Sequence, residues 1–357
     1  MMKSVITGTG AYVPELIRAN NHFVNDIFYG EDGLPIAGSP DLIIEKFQKI
    51  TGIQERRYAP ENINTSDMAA YAGREALANS GIDPESLDQI IVAHNFGDIS
   101  HQRQQSQNVP SIASKVKHLL KIRRPGCIAY DILFGCPGWI QSLIQAEAYF
   151  RAGMAKKILL IGAETLSRVV DPTDRDSMIF ADGAGACVLE YTDTGNEGPG
   201  VLGTHAQTHS LAELDYIHMG SSYKRGAGSH SLYMKMKGRK VYEYALIHVP
   251  DAIKKCIDDC GIRIDQVKKI FIHQANEKMD EEIVKRLYSL YGLQAPFPGI
   301  MPMTIRWLGN SSVATVPTLY HLVCQGKIAG HEISAGDIVV FASVGAGMSI
   351  NAVCYRV

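Results

Sequence analysis

The chain has 357 residues, of which 46% are apolar and 20% are charged, and its formal net charge is −2. These values indicate a globular chain of one large or two medium domains. The balanced charge, without basic blocks, argues against a nucleic-acid-binding protein. The N-terminal sequence predicts a strand and a glycine turn without a secretory signal, and no apolar span is long enough for a membrane helix. We therefore expect no membrane insertion.

Seven cysteines, an odd number, are spread along the chain. They form no CxxC pair and no other familiar metal-ligand spacing, so we expect reduced thiols, a cytoplasmic location and no bound metal. Cys256 and Cys260 have the spacing that places two side chains on one face of a helix.

An internal repeat relates the two halves of the chain. Residues 87–92 match residues 267–272, and residues 157–162 match residues 337–342, both at an offset of 180. These apolar runs are typical of strands that are covered on both faces. Helical patterns precede them in both halves, with 66–80 matching 241–260 and 138–152 matching 312–326. The sequence therefore predicts a duplicated α/β unit, with halves 1–195 and 196–357 joined by a turn-rich connection.

Cys136 stands at a junction between two predicted elements. An apolar, strand-like run ends at Gly135, and an amphipathic helical pattern begins after Pro137 and Gly138. The backbone amides and the positive end of the helix dipole favour a thiolate at such a position. Cys136 is therefore a candidate nucleophile. The alternative is a small buried apolar residue, which is a common role for a reduced cysteine.

Two residues of the second half occupy related junctions. Asn310 stands before the helical pattern that corresponds to the one after Cys136, and His273 follows a predicted buried strand. Strand-end loops of α/β sheets are where ligand-binding groups collect. Taken singly, His273 is also explained as a hydrogen-bonded core histidine and Asn310 as a helix N-cap. The three residue types at three related junctions favour one shared site.

Several motifs occur in order along the chain. They are ITGTGAYVP at 6–14, TGIQERR at 51–57, the cysteine segment from residue 130, DPTDR at 171–175, FADGAGA at 180–186, HQAN at 273–276 and GNSS at 309–312. With these motifs the chain resembles the β-ketoacyl-acyl-carrier-protein synthase III group of the thiolase superfamily over essentially its full length. The resemblance implies a thiolase fold, with two pseudo-symmetric halves in αβαβα layers, and a cytoplasmic homodimer.

The resemblance also implies a catalytic triad of Cys136, His273 and Asn310. Cys136 would attack an acyl thioester and hold the acyl group, which splits one difficult reaction into two steps. His273 and Asn310 would polarise the second thioester during a Claisen condensation that needs no cofactor. The developing oxyanion would be bound by backbone N–H groups. These are the N–H of Cys136 and those of the turn Gly345, Ala346 and Gly347.

The sequence departs most from the family pattern at the residues that would contact the substrate. Lys46 and Ile50 stand where primer-type synthases have a Trp and an Arg that hold the adenine of coenzyme A. Arg168 matches a basic residue near the tunnel mouth, so we expect it to contact the substrate arm. Pro137 follows the nucleophile in place of a small residue, and Val344 replaces an aromatic one. The basic residues expected to receive an acyl carrier protein are Lys254, Lys255, Lys278, Lys285 and Arg286.

Two segments, 25–40 and 96–109, are longer than in the housekeeping enzyme, and the second is expected near the dimer interface and the acyl pocket. These departures favour a specialised relative that joins two fatty-acid-derived chains, as in dialkylresorcinol and flexirubin-type pathways. The alternative is a primer synthase that uses acyl-CoA and malonyl-carrier protein. A non-catalytic partner subunit, a hydroxymethylglutaryl-CoA synthase and a chalcone-synthase-like enzyme are further alternatives.

Overall fold

The computed structural model describes residues 1–100, 105–226 and 231–357. The helices are α1 Pro40–Thr51, α2 Thr65–Ser80, α3 Ile112–Leu119, α4 Gly138–Arg151, α5 Gly238–Asp259, α6 Glu277–Ser289, α7 Ile305–Leu308 and α8 Thr315–Cys324. The strands are β1 Met2–Tyr12, β2 Leu16–Ala19, β3 Glu55–Tyr58, β4 Gln89–Ala93, β5 Asp98–Ile99, β6 Ser106–Gln107, β7 Ile128–Ile132, β8 Lys157–Thr165, β9 Asp182–Asp193, β10 Gly200–Thr208, β11 Ile217–Gly220, β12 Tyr233–Met236, β13 Val267–Ile272, β14 Ile338–Gly345 and β15 Ser349–Arg356.

Two mixed sheets carry the repeat. The first has the order β1-β9-β8-β4-β7, and the second has the order β10-β15-β14-β13. In both sheets two antiparallel pairings are followed by a parallel one, β8 with β4 and β14 with β13. The strands predicted at an offset of 180 therefore occupy equivalent places.

Three apolar cores hold together five layers of helices and sheets. One core lies between the first sheet and helices α2 and α3, and another lies between the second sheet and helices α5 and α6. The central core packs α4 and α8 between the two sheets, where Trp139 and Phe341 meet edge to face. This is the predicted αβαβα arrangement, and it places the N-terminal ends of α4 and α8 side by side in the middle of the molecule.

The first sheet uses residues up to Asp193, and the second begins at Gly200. The predicted boundary at 195/196 lies in this connection, and the division of the chain into two domains there stays a prediction. The longer segment 25–40 is anchored by Phe28, which is buried in an apolar cluster with Phe47. The glutamine-rich run of the second segment begins at residues 101–104, which lie outside the described residues. No helix in the described ranges is both long and apolar enough to cross a membrane.

Candidate active site

The three predicted catalytic side chains line one cavity of about 160 Å³. Cys136 lies between left-handed Gly135, with φ 65°, and the first turn of α4. His273 directly follows β13, and its backbone N–H donates to the carbonyl of Ala342 at 2.9 Å. Asn310 follows left-handed Gly309, with φ 71°, ahead of α8. The structure thus brings together residues from both halves of the repeat.

The Cys136 thiol is held by a neighbour from the second half. The hydroxyl of Ser312 donates to Cys136 Sγ at 3.3 Å. Burial raises the pKa of Cys136 to about 11, while the Ser312 hydrogen bond lowers it and the nearby Glu164 raises it further. Burial therefore opposes the thiolate that the helix terminus favours.

His273 is fully buried, and desolvation lowers its pKa to about 4, partly offset by a hydrogen-bonding interaction with the Ser312 backbone. At neutral pH the imidazole is therefore uncharged. Its Nδ1 has no hydrogen-bond partner among the described residues. The next residue, Gln274, accepts from the backbone N–H groups of Thr304 and Ile305 and donates to the carbonyl of Pro302. The loop that carries His273 is thereby fixed.

Asn310 has part of the helix-capping role that was the alternative explanation for this residue. Its Oδ1 accepts from the backbone N–H of Ser312 at 2.8 Å, within the 3₁₀ turn that precedes α8. Because the side-chain oxygen is occupied in this way, the amide NH₂ is the group that Asn310 can offer to a ligand in the cavity. Capping and catalysis are therefore compatible roles for the two ends of this amide.

The glycine turn after β14 approaches the nucleophile closely. A Cβ added to Gly345 would lie 2.5 Å from the backbone nitrogen of Cys136, and one added to Gly135 would lie 2.8 Å from the nitrogen of Ala346. Ala346 lines the cavity beside Gly135, while Gly347 adopts the left-handed φ of 76° that turns the chain. The residues predicted to form an oxyanion site thus lie against Cys136.

Sequence reasoning missed a polar chain behind the thiol. Asn95, which follows β4 and lines the cavity, donates through Nδ2 to Glu164 Oε1 and to Ser312 Oγ. Glu164 is fully buried, and desolvation raises its pKa to about 8. Its Oε2 has no partner among the described residues. The signal available in the sequence was a glutamate inside an otherwise apolar strand, which is unusual without a specific role.

The rest of the cavity wall is apolar, and four methionines contribute to it. They are Met219, Met234, Met236 and Met279. A second cavity, of about 470 Å³, shares the wall residues Met236, Val241, Ala275 and Met279 with the first. Lys46 and Ile50 line this second cavity, together with Arg175 and Arg239. Lys46 and Ile50, which depart from the family pattern, therefore line a cavity that adjoins the catalytic one.

The predicted role of Arg168 is wrong. Its side chain is buried and donates to Asn64 Oδ1 and to the backbone carbonyls of Ile99, Pro60 and Ile63. Burial lowers its pKa, although nearby carboxylates raise it, Asp182 first among them. A guanidinium committed to four internal acceptors ties loops together and is not a free cation at a tunnel mouth.

The predicted basic surface is largely neutralised. Lys254 and Lys255 pair with Asp258 and Asp259, and Arg286 pairs with Glu282, each one helical turn away. Lys285 also pairs with Glu282. These residues form the solvated helix face that was the simpler explanation. Lys278 is exposed and lines a separate cleft with Lys49 and Arg306, so its role in carrier binding stays a prediction.

The layered fold, with a cysteine-bearing cavity between duplicated halves, is that of thiolase-fold acyltransferases. Residues 130–210 match the family model described as 3-oxoacyl-[acyl-carrier-protein (ACP)] synthase III, and residues 257–357 match the model of its C-terminal part. The β-ketoacyl-[acyl-carrier-protein] synthase III of Erythrobacter litoralis is 31% identical over 358 residues, which cover 100% of both chains. The chain belongs to the β-ketoacyl-[acyl-carrier-protein] synthase III family of the thiolase superfamily and is an acyltransferase.

Other relatives agree with this assignment. The β-ketoacyl-[acyl-carrier-protein] synthase III of Paracoccus denitrificans is 32% identical over 360 residues and covers 100% of both chains. The crystal structure of the synthase III of Thermus thermophilus superposes with a TM-score of 0.80 at 29% identity and covers 99% of each chain. The thiolase fold expected from the sequence is therefore confirmed.

Proposed function

We propose that the chain is a β-ketoacyl-acyl-carrier-protein synthase III that loads an acyl group onto Cys136 and condenses it with malonyl-carrier protein. The observation that carries this proposal is the convergence of Cys136, His273 and Asn310 on one apolar cavity. The full-length similarity to named synthases supports the primer reaction better than the chain-joining reaction that the sequence departures favoured. A non-catalytic subunit would not need the three side chains together.

In the first half-reaction, the Cys136 sulfur attacks the carbonyl carbon of an acyl thioester. A new carbon–sulfur bond forms, the bond to the donor sulfur breaks, and the thiol proton is transferred to the departing thiol. The tetrahedral oxyanion is stabilised by backbone N–H groups at Cys136 and in the turn containing Ala346, a contribution of about 3 kcal/mol for each donor. Ser312 supports this step because its hydroxyl hydrogen bond favours the thiolate.

In the second half-reaction, malonyl thioester loses CO₂, and the electron pair of the broken carbon–carbon bond gives an enolate. Neutral His273 and the amide NH₂ of Asn310 donate hydrogen bonds to the enolate oxygen. The enolate carbon attacks the acyl carbonyl on Cys136 and forms the new carbon–carbon bond. The carbon–sulfur bond to Cys136 breaks, and the departing thiolate takes up a proton from solvent. The low pKa of His273 suits this role because an uncharged imidazole remains a donor throughout the neutral range.

For the acyl donor, we propose that the second cavity receives the phosphopantetheine arm. Lys46, Arg175 and Arg239 line it and are the cations nearest to a bound phosphate group, although Arg175 and Arg239 also pair with Asp176 and Glu243. Lys46 takes the place of the stacking Trp of primer-type synthases, and Ile50 takes the place of the Arg. The loss of aromatic stacking weakens the binding of adenine, whereas these cations can still contact the phosphate groups. Coenzyme A and carrier-protein donors are therefore both compatible with the proposal. Binding of the carrier-protein donor depends less on the adenine contact.

We also propose a homodimer that forms through the edge of the first sheet. Strand β7 is the last strand of that sheet and is exposed at Ile128, and Leu133 beyond its end is 65% exposed. An open apolar edge is a ready template for pairing with a second copy. Light scattering coupled to size exclusion should give twice the mass of one chain. A monomer at micromolar concentration would contradict this part.

The decisive experiment is a competition between donors. Acetyl, octanoyl and β-ketoacyl groups are offered as coenzyme A and as carrier-protein thioesters, together with malonyl-carrier protein, and the products are identified by mass spectrometry. A β-ketoacyl-carrier protein two carbons longer than the acyl donor is expected. A product that contains both long chains would overturn the primer proposal in favour of chain joining, and no product from any pair would overturn the condensing function.

A further inference from the structure

Three cysteines lie together in the second half, and only two of them, Cys256 and Cys260, have a sequence spacing that predicts proximity. Cys256 and Cys260 are one turn apart near the end of α5, and Cys354 comes from β15. Their three Sγ atoms all lie within 4.8 Å of one another, and those of Cys256 and Cys354 are 3.7 Å apart. Cys256 and Cys354 are fully buried, while Cys260 is half-buried. We call these three residues the three-sulfur cluster.

The neighbouring strand leaves room for the three-sulfur cluster. Gly203, on β10, sits where the pairing register with β15 shifts. A Cβ at this position would lie 2.4 Å from the Sγ of Cys260, so any other residue would displace that sulfur. The carbonyl of Gly203 also accepts a weak hydrogen bond from Cys256 Sγ at 3.7 Å. The glycine at the bulge therefore keeps the three sulfurs convergent.

The spacing of the sulfurs corresponds to a known coordination geometry. A tetrahedral zinc ion with zinc–sulfur bonds of about 2.3 Å holds its sulfur ligands about 3.8 Å apart. The two buried sulfurs already have this separation. We propose that the three-sulfur cluster binds one thiophilic d¹⁰ cation, with Zn²⁺ as the probe. On binding, three thiols lose three protons to solvent, and three thiolates become ligands, which leaves a fourth position for water or an added ligand.

The surroundings favour a structural site. The cluster lies in the apolar core between α5 and the second sheet, where free thiolates are unfavourable. A bound Zn²⁺ offsets two of the three thiolate charges and leaves one, which half-buried Cys260 places toward solvent. Half-buried Cys260 gives the ion a route from solvent. The cluster joins the end of α5 to β15, so an ion there stabilises the second half and takes no part in the condensation.

Zinc binding is tested on the full chain, reduced and stripped with a chelator. Titration with Zn²⁺ against a chromophoric chelator should give one tightly held ion per chain, and elemental analysis after gel filtration should agree. Cys260→Ser, at the half-buried position, should weaken binding at least about tenfold, which corresponds to about 1.4 kcal/mol. Cys324→Ser is the matched control because it removes an exposed thiol outside the cluster, and it should bind like the wild type.

Two further readouts keep the proposal falsifiable. Zn²⁺ should raise the Tm of the wild type more than that of Cys260→Ser at the same concentration, because the variant binds the ion more weakly. It should also protect Cys260, but not Cys324, from alkylation. Equal zinc affinity in Cys260→Ser, or loss of the ion in Cys136→Ala, would overturn the proposal. A Cys256–Cys354 disulfide in protein that takes up no zinc would overturn it in favour of a redox pair.

Discussion

Ser312 and Cys136 are joined by a hydrogen bond of 3.3 Å from the serine hydroxyl to the cysteine sulfur, across the boundary between the two halves of the repeat. Ser312 reaches this place with a backbone φ of 52°, which is costly for a residue other than glycine. Its backbone N–H is held by Asn310, so one strained residue connects the asparagine to the nucleophile.

Replacing Ser312 with Ala should slow acylation of Cys136. The hydroxyl hydrogen bond lowers the pKa of the thiol, so its loss raises that pKa and reduces the thiolate fraction. A hydrogen bond worth about 1 kcal/mol corresponds to a roughly fivefold slower reaction. The measurement is the rate of acyl-enzyme formation by intact mass spectrometry. Ser311→Ala is the control, since Ser311 bonds Thr315, and equal rates for both variants would contradict the assignment.

The reactivity of Cys136 should rise with pH well beyond the usual range of a thiol. Burial raises its pKa to about 11, so the protonated form predominates at neutral pH and the thiolate gains with each pH unit up to that value. Iodoacetamide labelling of the peptide containing Cys136, followed from pH 7 to 11, checks this. A plateau below pH 8 would reveal a thiolate already stabilised by the helix. In Cys136→Ala, both labelling of this site and acylation should vanish.

The two half-reactions should separate in His273→Ala and Asn310→Ala. Both side chains are proposed to serve the second thioester, so the variants should still form the acyl-enzyme but decarboxylate malonyl-carrier protein at least about a hundredfold more slowly. Because the pKa of His273 is lowered to about 4, the wild-type decarboxylation rate should show no acid limb near pH 6.5. Loss of acylation as severe as in Cys136→Ala would instead make His273 the base for the thiol.

Glu164→Gln should change how stability depends on pH. The pKa of Glu164 is raised from 4.5 to about 8 in the folded chain, so the unfolded chain ionises first. Wild-type stability is therefore lost as pH rises from about 4.5 to about 8, a difference of a few kcal/mol. The variant should lack this loss, as measured by urea unfolding at pH 5 and pH 8. Parallel changes in both proteins would show that Glu164 stays ionised.

Lys235→Met should destabilise the wall of the cavity. The Lys235 ammonium is buried, 2.6 Å from Asp171 and 3.0 Å from Asp174, and its strand β12 supplies Met234 and Met236 to the cavity. Removing it leaves two carboxylates uncompensated, at a cost of about 3–5 kcal/mol. Chemical denaturation measures the loss. Lys237→Met, an exposed neighbour, should be nearly neutral, and a similar result for both would rule out a structural role for the buried ion pairs.

Much of the architecture could be predicted from the apolar patterns of strands and helices and from the internal repeat. Strands β8 and β14 are near-continuous apolar runs because both faces of each strand are covered. Their sequences can therefore be matched to each other at a fixed offset along the chain. Cys136 was recognisable because a strand, a glycine and a helix start surround it. These signals are either local sequence patterns or patterns that recur at one sequence offset. They can therefore be found without a structure.

The missed features depend on contacts between distant residues. Arg168 looks like a free cation in sequence, and only the fold shows that four loop acceptors surround its guanidinium. A helix terminus that favours a thiolate at Cys136 is visible in the sequence, whereas the burial of this thiol and the approach of Glu164 are visible only in the fold. Cys354 lies 98 positions from Cys256, and no spacing rule connects a helix turn to a strand so far away.

The close approach of Gly345 to Cys136 has a consequence for synthesis of the chain. The nucleophile loop packs against a turn made about two hundred residues later, and Ser312 is also supplied by the second half. During translation Cys136 leaves the ribosome long before these partners exist. The nascent first half therefore carries a thiol without its oxyanion turn, its serine or its histidine. The complete set of side chains and backbone groups around Cys136 is therefore expected to form only after β14 has been added.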